Sequence, residues 1–328
     1  MAKVSIQNTD ISFNCGPGDT VLRSALRAGI SIPYSCNVGS CGNCRVGIIK
    51  GQVEHLRKDA PAWTERDRKR AKYLACQAVP DGPCTIEFRF NAEKFVPIRP
   101  AKFDAILTKK NAITWDITEF HFEPIGAPSF LPGQYALFYI EGVDGARPYS
   151  MCNLPLDDDW AFQIKRVQGG ACTKKLFDMK TGQKIKMDGP YSSAYLKKDT
   201  SRDIILVAGG SGLSPMVSIA RGAFTSEILD NQNLHFYYGC KSKLDIFDPD
   251  VVFGELKNKI SFNTVLSNAD SPIHRSGFLH DALREDFGVR LKNYDIYFAG
   301  PPAMVAEMQK ITHELGVPFD QIHFDEFL

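Results

Sequence analysis

The sequence predicts a multidomain protein of the α/β and β classes, in which a small mixed domain precedes an antiparallel β-barrel and a doubly wound parallel sheet. The chain has 328 residues, which is too long for one ordinary hydrophobic core. Residues 102–195 contain short strand-like runs separated by turn signals at regular intervals, as in a barrel. After residue 200, continuous apolar runs alternate with helix-like stretches, which is typical of parallel strands covered by helices.

The first 90 residues predict a small domain with more sheet than helix. Apolar and polar residues alternate in 1–15, which is typical of a β-hairpin. The apolar residues of 21–29 (VLRSALRAG) have helical spacing, and the final glycine is a signal that ends a helix. A cysteine-rich loop comes next, and then we expect a strand at 45–50, a charged helix at 64–72 and a closing strand at 84–90. A stretch with two prolines and no periodicity, 91–101, is interpreted as a linker.

The two later domains are predicted from their strands. The barrel runs are KFDAILTK, ITWDITEFHFEP, GQYALFYIEG and WAFQIKRV, and the buried-type strands of the parallel sheet are IILVAGG, LHFYYGC, KISFNTVL and DIYFAGPP. Helices are expected between those last strands, at 213–224, 249–257, 277–286 and 302–315. We therefore expect domain boundaries of 1–92, 100–198 and 200–328.

Composition and charge exclude several function classes. The formal net charge is +1, so the chain lacks the basic excess of a nucleic-acid-binding protein. No apolar run approaches the roughly 18 residues that a membrane-spanning helix needs, and the first residues show no secretion signal. We expect a cytoplasmic protein that binds neither nucleic acid nor a membrane.

Four of the nine cysteines have a spacing with a specific chemistry. Cys36, Cys41, Cys44 and Cys76 fit the pattern C-x4-C-x2-C…C, by which plant-type [2Fe–2S] clusters are bound. The small residues between them allow the backbone to wrap the sulfurs and present N–H donors to a negatively charged cluster. Zinc is the alternative, but structural zinc sites favour paired C-x2-C knuckles and only one occurs here. A disulfide is disfavoured in a cytoplasmic chain.

With these cysteines, residues 1–90 resemble a plant-type ferredoxin, which implies a β-grasp fold. The domain order of the whole chain resembles the NADH-dependent ferredoxin-type reductase components of bacterial multicomponent aromatic oxygenases. That family includes the reductases of toluene and phenol hydroxylases, of benzoate dioxygenase and of class III ring-hydroxylating dioxygenases. The resemblance covers all three domains and implies three cofactors, namely FAD, a [2Fe–2S] cluster and NADH.

The segment RPYS is similar to the R-x-Y-S flavin signature of this family. The resemblance implies that Arg147 pairs with the flavin pyrophosphate, for which a permanently charged planar fork is suited. It also implies that Tyr149, beside Pro148, stacks on the isoalloxazine ring, and that the hydroxyl of Ser150 lies near N5, the atom that receives hydride. Ser150 is thus a candidate catalytic residue as well as a cofactor-binding one.

A second flavin segment begins at Ile164 and Lys165. After a glycine turn, a helix N-terminus is expected to offer free N–H groups and a positive dipole to phosphate. The ferredoxin-first domain order resembles the FAD branch of the family rather than the FMN branch. The candidate FAD-binding residues at this helix are Gly170, Ala171, Cys172 and Thr173.

The glycine loop after IILVAGG is close to a dinucleotide-binding fingerprint, although Pro215 replaces its third glycine. The resemblance places nicotinamide binding here and at AGPPAM, where Ala299 stands in place of the cysteine usual in the family. We therefore expect the change Ala299→Cys to alter the hydride-transfer rate. NADH is favoured over NADPH, although Lys241 and Lys243 could attract a 2′-phosphate. The candidate residues are Gly209, Gly210, Ser211, Gly212, Gly300 and Pro301.

The last residues complete the candidate catalytic set. In the family, a terminal aromatic residue often covers the second flavin face, and Phe327 fits that place. Asp325 is then the nearby acid, expected to form a hydrogen bond to the Ser150 region. A buried terminal strand is the alternative interpretation of HFDEFL.

The resemblance predicts an oxidoreductase that passes electrons from NADH through FAD and the cluster to a partner in aromatic hydrocarbon catabolism. That partner is expected to be a terminal oxygenase component or an intermediary Rieske ferredoxin, and the reductase is expected to be a monomer. Two alternatives remain, which are a reductase partner of a deoxysugar dehydratase system and a stand-alone electron-carrier module. The basic run 66–72 is either a solvated helix face or a docking patch for an acidic partner.

Overall fold

A computed structural model describes residues 1–91, 95–268 and 273–326 of the chain. It contains three large sheets in chain order and one separate two-stranded antiparallel sheet. No helix in these ranges is long and apolar enough to cross a membrane.

The first domain is a mixed sheet crossed by one buried helix. Its strand order is β2-β1-β7-β3-β5, in which β1 and β7 run parallel and the other pairs antiparallel. Thr20 begins the helix by accepting a hydrogen bond from the backbone N–H of Arg23, which satisfies one of the free donors of the first turn. The elements are β1 Ala2–Ile6, β2 Ser12–Cys15, α1 Val21–Arg27, β3 Arg45–Lys50, β4 Val53–His55, α2 Glu65–Lys69, β5 Lys72–Leu74, β6 Ala78–Pro80 and β7 Cys84–Glu87.

The second domain is a curled antiparallel sheet with the order β11-β10-β13-β8-β9-β12. Its outer strands meet, because the N–H of Cys152 just after β11 donates to the carbonyl of Ala161 in β12 at 2.8 Å. Large buried aromatic rings fill the interior. The elements are β8 Ala101–Ala112, β9 Ile117–Ile125, β10 Tyr135–Tyr139, β11 Arg147–Ser150, β12 Trp160–Lys165, α3 Ala171–Asp178 and β13 Lys184–Tyr191.

The third domain is a parallel sheet with the order β17-β16-β15-β14-β18-β19. Helices α4 and α5 pack on one face and α6 and α7 on the other, as expected for a doubly wound fold. The elements are β14 Ile204–Gly209, α4 Leu213–Thr225, β15 Leu234–Cys240, α5 Pro249–Phe253, β16 Ile260–Leu266, β17 Arg275–Ser276, α6 Leu279–Phe287, β18 Asp295–Gly300, α7 Pro302–Glu314 and β19 Ile322–Glu326.

This architecture confirms the predicted fold class, but two helices are shorter than predicted. Helix α2 ends at Lys69 because Ala71 has a φ of +49°, which turns the chain out of the helix into β5. Helix α5 ends at Phe253 because Gly254 has a φ of +54°, and a 3-10 helix comes next. Both turns use the left-handed region that ends α-helices.

The predicted linker at 91–101 falls between β7 and β8, and residues 92–94 of it lie outside the described residues. The boundaries at 92, 100, 198 and 200 stay a prediction.

Candidate functional site

The loop between α1 and β3 is shaped by two glycines. Gly39 and Gly42 have φ values of +83° and +82°, which glycine adopts without the strain that a Cβ would cause. The loop turns backbone N–H groups inward, so that those of Ser40 and Cys41 lie 3.3 and 3.4 Å from the sulfur of Cys36. This is the environment that a negatively charged cluster requires.

The four cysteines predicted as metal ligands come together as two pairs. The thiol of Cys36 is hydrogen-bonded to Cys41, and that of Cys44 to Cys76. The hydrogen bond with Cys36 lowers the pKa of Cys41 to about 5. Within the described ranges, no three His, Cys, Asp or Glu side chains converge as a single ion would require. Two thiol pairs fit a [2Fe–2S] cluster, in which each iron takes two cysteines.

Arg45 attaches this loop to helix α2. Its guanidinium donates to the carbonyl of Gly42 at 2.8 Å and to that of Ala62 at 2.6 Å. Its Nε lies 3.1 Å from Oδ1 of Asp67, a residue of α2. The basic helix is therefore held beside the cysteine loop.

The RPYS segment forms β11 at the edge of the barrel. The ring of Tyr149 lies 4.8 Å from that of Phe138, and its hydroxyl is 3.2 Å from the sulfur of Cys172. Burial raises the pKa of Tyr149, so its hydroxyl stays neutral near pH 7. Arg147 is exposed and Pro148 is half-buried. The guanidinium of Arg147 donates to the carbonyls of Asp144 and Ala146 and forms no ion pair among the described residues, so the strand presents one fixed ring and one exposed cation.

Ser150, at the end of β11, has a buried hydroxyl without a hydrogen-bond partner among the described residues. Its Oγ accepts or donates no hydrogen bond among the described residues, whereas its carbonyl accepts from Oγ of Ser214 at 2.6 Å. An orphaned buried hydroxyl costs on the order of 1–3 kcal/mol. A bound group that supplies the partner removes this cost, so the site fits a flavin ring at this point.

Helix α3 offers an open N-terminus on the same side as Arg147. No side chain caps it, so its first N–H groups are free for a phosphate. Gly170 is needed before the helix, since a Cβ there would lie 2.8 Å from Oγ1 of Thr173. The charge of Arg147 acts on Cys172 in the first turn. The predicted residues Gly170, Ala171, Cys172 and Thr173 therefore lie at one corner of the barrel with Arg147.

The two residues predicted at the end of β12 have different surroundings. Ile164 is buried in the barrel core. The ammonium of Lys165 lies 2.5 Å from the carboxylate of Asp116 and 3.8 Å from that of Asp245 in the third domain. The side chain of Lys165 is thus directed to the junction between the barrel and the parallel sheet.

The two predicted nicotinamide loops pack against each other at the carboxyl edge of the parallel sheet. A Cβ at Gly212 would collide with the carbonyl of Ala299, and a Cβ at Gly209 would lie 2.6 Å from the sulfur of Met304. Gly210 has a φ of +56°. Only glycine allows this contact, which brings together Gly209, Gly210, Ser211 and Gly212 with Gly300 and Pro301.

The predicted catalytic acid lies beside this edge, but its hydrogen bond is not the one expected. Asp325 pairs in register with Ala299, and its carboxylate accepts from Oγ of Ser192 at 3.0 Å rather than from the Ser150 region. Burial raises its pKa to about 7. The sequence could not show this partner, because Ser192 is 133 residues away. Phe327 lies outside the described residues.

Comparison with known protein families assigns all three domains. Residues 4–81 match the 2Fe-2S iron-sulfur cluster binding domain, residues 104–195 the oxidoreductase FAD-binding domain and residues 206–310 the oxidoreductase NAD-binding domain. The ferredoxin–NAD(P)+ reductase CarAd of Metapseudomonas resinovorans is 34% identical over 95% of this chain and 96% of its own. The chain belongs to the family of ferredoxin–NAD(P)+ reductase components of multicomponent oxygenases.

Two further members of this reductase family are similar over their full length. The ferredoxin–NAD+ reductase component of an alkene monooxygenase system from Xanthobacter autotrophicus is 34% identical over 98% of this chain and 99% of its own. The solved ferredoxin reductase in carbazole 1,9a-dioxygenase has a TM-score of 0.90 and 30% identity, covering 99% of this chain and 98% of that one. The predicted family, oxidoreductase activity and three cofactor-binding domains are confirmed.

In this reductase a buried polar network joins the ferredoxin domain to the barrel. Arg23 on α1 donates to the hydroxyl of Tyr139 at 2.9 Å. The hydroxyl of Tyr34 accepts from the N–H of Ser192 at 3.0 Å, and that of Tyr135 donates to the carbonyl of Ser35 at 2.5 Å. Sequence reasoning did not find these residues. The available signal was the presence of Arg23 and Arg27 on α1, a helix whose other residues are mostly apolar.

A second set of contacts joins helix α4 of the third domain to the end of β11 and the residues after it. Ser214 donates to the carbonyl of Ser150, as described above. One turn further along α4, the hydroxyl of Ser218 donates to the carbonyl of Asn153 at 2.8 Å, and the guanidinium of Arg221 donates to the carbonyl of Cys152 at 3.0 Å. These side chains are spaced four and three residues apart, so they share one face of the helix. The reductase thereby holds β11 in a fixed place relative to its nicotinamide loops.

Proposed function

We propose that this reductase takes electrons from NADH and delivers them to the oxygenase, or to an intermediary Rieske ferredoxin, of an aromatic-ring mono- or dioxygenase. The observation that supports it most is the buried hydroxyl of Ser150, which has no hydrogen-bond partner among the described residues, while the backbone carbonyl of the same residue accepts from Oγ of Ser214 in the first turn of α4. A bound flavin accepts a hydride and returns the two electrons one at a time. The chain's own contribution is positioning and electrostatics.

The proposed roles are based on the geometry of the two barrel segments. Ser150 donates to the hydride-accepting edge of the flavin, and Tyr149 covers its ring. Arg147 and the open end of α3 neutralise the pyrophosphate, because a guanidinium and free helix N–H groups converge there. Because the fold fixes these groups before the reaction, they stabilise the developing charge without having to reorganise, and this lowers the barrier to hydride transfer.

On the ferredoxin side, Cys36, Cys41, Cys44 and Cys76 are proposed to hold the cluster. Inward N–H groups of the loop balance the charge that reduction adds. Asp325 is proposed to fix the geometry of the domain junction through Ser192, and Phe327 is retained as a proposed flavin cover.

The aromatic class of the partner system is supported by the likeness to the carbazole 1,9a-dioxygenase reductase. The alkene monooxygenase reductase is as similar in sequence to this chain as CarAd is, so both partner classes belong in the test. The stand-alone carrier and the deoxysugar-system partner receive no support, since the FAD and NAD domains are present and these relatives are oxygenase components.

NADH is proposed as the donor because an acidic group lies in the loop after β15, the strand end near which a 2′-phosphate is expected. Asp245 comes after β15 and accepts from both the N–H and the hydroxyl of Ser242 at 2.9 and 3.0 Å. The negative charge of Asp245 repels a phosphate. Its carboxylate also accepts the hydrogen bond of the Ser242 hydroxyl, which could otherwise bind one. We expect kcat/KM to be higher for NADH than for NADPH.

The acceptor is proposed to dock on a basic patch formed by Lys58, Arg66, Lys69 and Arg70. All four are exposed, and none forms an ion pair within the part of the chain that the structure describes. Arg45 holds the patch next to the cysteine loop. Opposite charge on the acceptor would steer it toward the cluster. Arg68 is not included, because it packs 4.4 Å from the ring centre of Trp63.

The experiment that tests this function is reduction of purified candidate partners. The reductase is incubated with NADH and with aromatic dioxygenase, diiron hydroxylase or alkene monooxygenase components, each with its Rieske ferredoxin where one exists. Faster reduction of an aromatic-ring oxygenase component supports the proposal, and preference for the alkene component contradicts it. The proposed monomeric state is tested by light scattering, and the proposed cytoplasmic location by cell fractionation.

A further inference from the structure

The turn between β8 and β9 exposes a tryptophan that belongs to neither the flavin segments nor the cysteine loop. Trp115 has 70% of its surface exposed. The other two tryptophans are covered, since Trp160 is buried in the barrel and the ring of Trp63 stacks on His55. An exposed aromatic ring offers a flat face on which a ligand ring can stack.

Trp115 is held in place across a domain boundary. Its indole N–H donates to Oδ1 of Asp245 at 3.0 Å, and Asp245 is a buried residue of the parallel-sheet domain. The same carboxylate closes the turn at Ser242 through its other oxygen. The ring is therefore fixed to the loop after β15, although its own strand belongs to the barrel.

That loop is where the adenosine half of a dinucleotide is expected. In doubly wound folds, the pyrophosphate lies at the glycine loop after the first strand, and the adenosine ribose lies at the carboxyl end of the second. Here β14 is the first strand and β15 the second.

The distance from the glycine loop to Trp115 is short. A Cβ at Gly210 would lie 3.8 Å from Cδ of Lys165, and the ammonium of Lys165 lies 3.8 Å from the same Oδ1 of Asp245 that accepts from Trp115. Two side chains, those of Lys165 and Asp245, thus separate the glycine loop from the exposed indole. The indole is therefore within reach of the adenosine half of a dinucleotide whose pyrophosphate lies at that loop.

We propose that Trp115 is the platform on which the adenine of NADH stacks, so that the barrel supplies one wall of the adenosine site. The inference rests on the proposed use of NADH and names a residue that contacts it. Stacking on an aromatic ring suits adenine because every base has a flat π-face. Asp245 orients the indole and does not itself need to touch the nucleotide.

The test compares binding of the two halves of the dinucleotide to the FAD-loaded reductase by calorimetry. Trp115→Ala should weaken AMP binding roughly 10-fold, which is the size expected for loss of one stacking contact. Binding of nicotinamide mononucleotide should not change. Trp115→Phe keeps a ring but loses the hydrogen bond, and should retain much of the affinity for AMP. Leu156→Ala, which removes another exposed apolar side chain of the barrel, serves as the matched control.

Fluorescence provides a signature that a merely structural role would not produce. AMP should quench tryptophan emission in the wild type, and the quenching should be absent in Trp115→Phe. Unchanged AMP affinity in Trp115→Ala, or equal weakening of AMP and nicotinamide mononucleotide, overturns the inference. Failure of NADH to reduce the flavin of the wild type would contradict the proposed function itself. Reduction by NADH together with unchanged AMP binding in Trp115→Ala would contradict only this inference, so the two failures can be told apart.

Discussion

The guanidinium of Arg27 in the ferredoxin domain lies 2.6 and 2.7 Å from the two carboxylate oxygens of Asp188 in the barrel. Asp188 is fully buried and also accepts from the hydroxyl of Tyr191 at 2.8 Å. Burial raises the pKa of Asp188, while Arg27, Arg23 and Tyr191 oppose the shift. A charge in this position must keep its partner, since an unpaired buried charge is strongly unfavourable. The pair therefore fixes the ferredoxin domain to the flavin domain.

Asp188→Asn should slow electron transfer between these two domains and leave hydride transfer unchanged. The substitution weakens the domain contact by about 1–3 kcal/mol, as expected when a buried charged partner is lost. Stopped-flow absorbance should show flavin reduction at the wild-type rate, and then cluster reduction that is several-fold slower.

The matched control for this variant is Asp104→Asn. Asp104 pairs with Lys186 on the exposed surface of the same barrel at 3.0 Å, where an ion pair contributes only about 0–1 kcal/mol. If both variants transfer electrons at the same rate, the Arg27–Asp188 pair does not position the domains.

Ser150→Ala should lower the rate of flavin reduction by NADH roughly 100-fold, the size seen when a preorganised hydrogen-bond donor is removed. Because Oγ of Ser150 has no partner among the described residues, the apoprotein should lose no measurable thermal stability. Rapid-mixing kinetics give the rate, and bound FAD is measured separately. An unchanged rate with full FAD content would remove Ser150 from the mechanism.

Arg66→Glu combined with Arg70→Glu should slow reduction of the oxygenase partner and flatten its dependence on salt. Charge reversal removes the attraction that raises the encounter rate, and salt screens what remains. The control pair is Lys109→Glu and Lys184→Glu, which reverses two exposed charges of the barrel. Equal effects of the two pairs would mean that only net charge matters and that no patch is used.

Stability of the barrel should fall as the pH rises from about 6.5 to 9. Hydrogen bonds to Asp159 and Glu119 raise the pKa of His121 to about 9, against about 6.5 in an unfolded chain. A histidine that binds its proton more tightly when folded stabilises the fold fully below pH 6.5, and this contribution is lost as the pH passes through 9. After allowance for solvent screening, the effect is about 1 kcal/mol.

The measurement for His121 is the unfolding temperature against pH for the wild type and for His121→Gln, which cannot titrate. At low pH, the stability of the barrel depends on the ionisation of Glu119. Burial acts against ionisation of Glu119, but hydrogen bonds with His121 and Gln163 lower its pKa from 4.5 to about 2, so its contribution is lost progressively as the pH falls through that range. Parallel curves for the two proteins above pH 6.5 would show that His121 carries no proton at neutral pH.

Local patterns predict the elements and motifs of this chain, whereas contacts between its domains cannot be predicted from them. The cysteine spacing depends on ligand number and loop length, both of which are local. Arg27 and Asp188 are 161 residues apart, and nothing near either residue identifies the other. The same reason explains why the hydrogen-bond partner predicted for Asp325 is wrong and why the sequence does not single out Trp115.

The central claim is that electrons enter at the flavin and reach the cluster only through it, and anaerobic single-turnover kinetics with NADH test this most directly. In the wild type the flavin should be reduced first and the cluster second. In Cys76→Ser the flavin should be reduced at the same rate with no cluster signal, whereas Cys84→Ser, at a buried cysteine of the ferredoxin domain outside the four proposed ligands, should behave as the wild type. Cluster reduction that precedes flavin reduction, or that persists without FAD, would contradict the account.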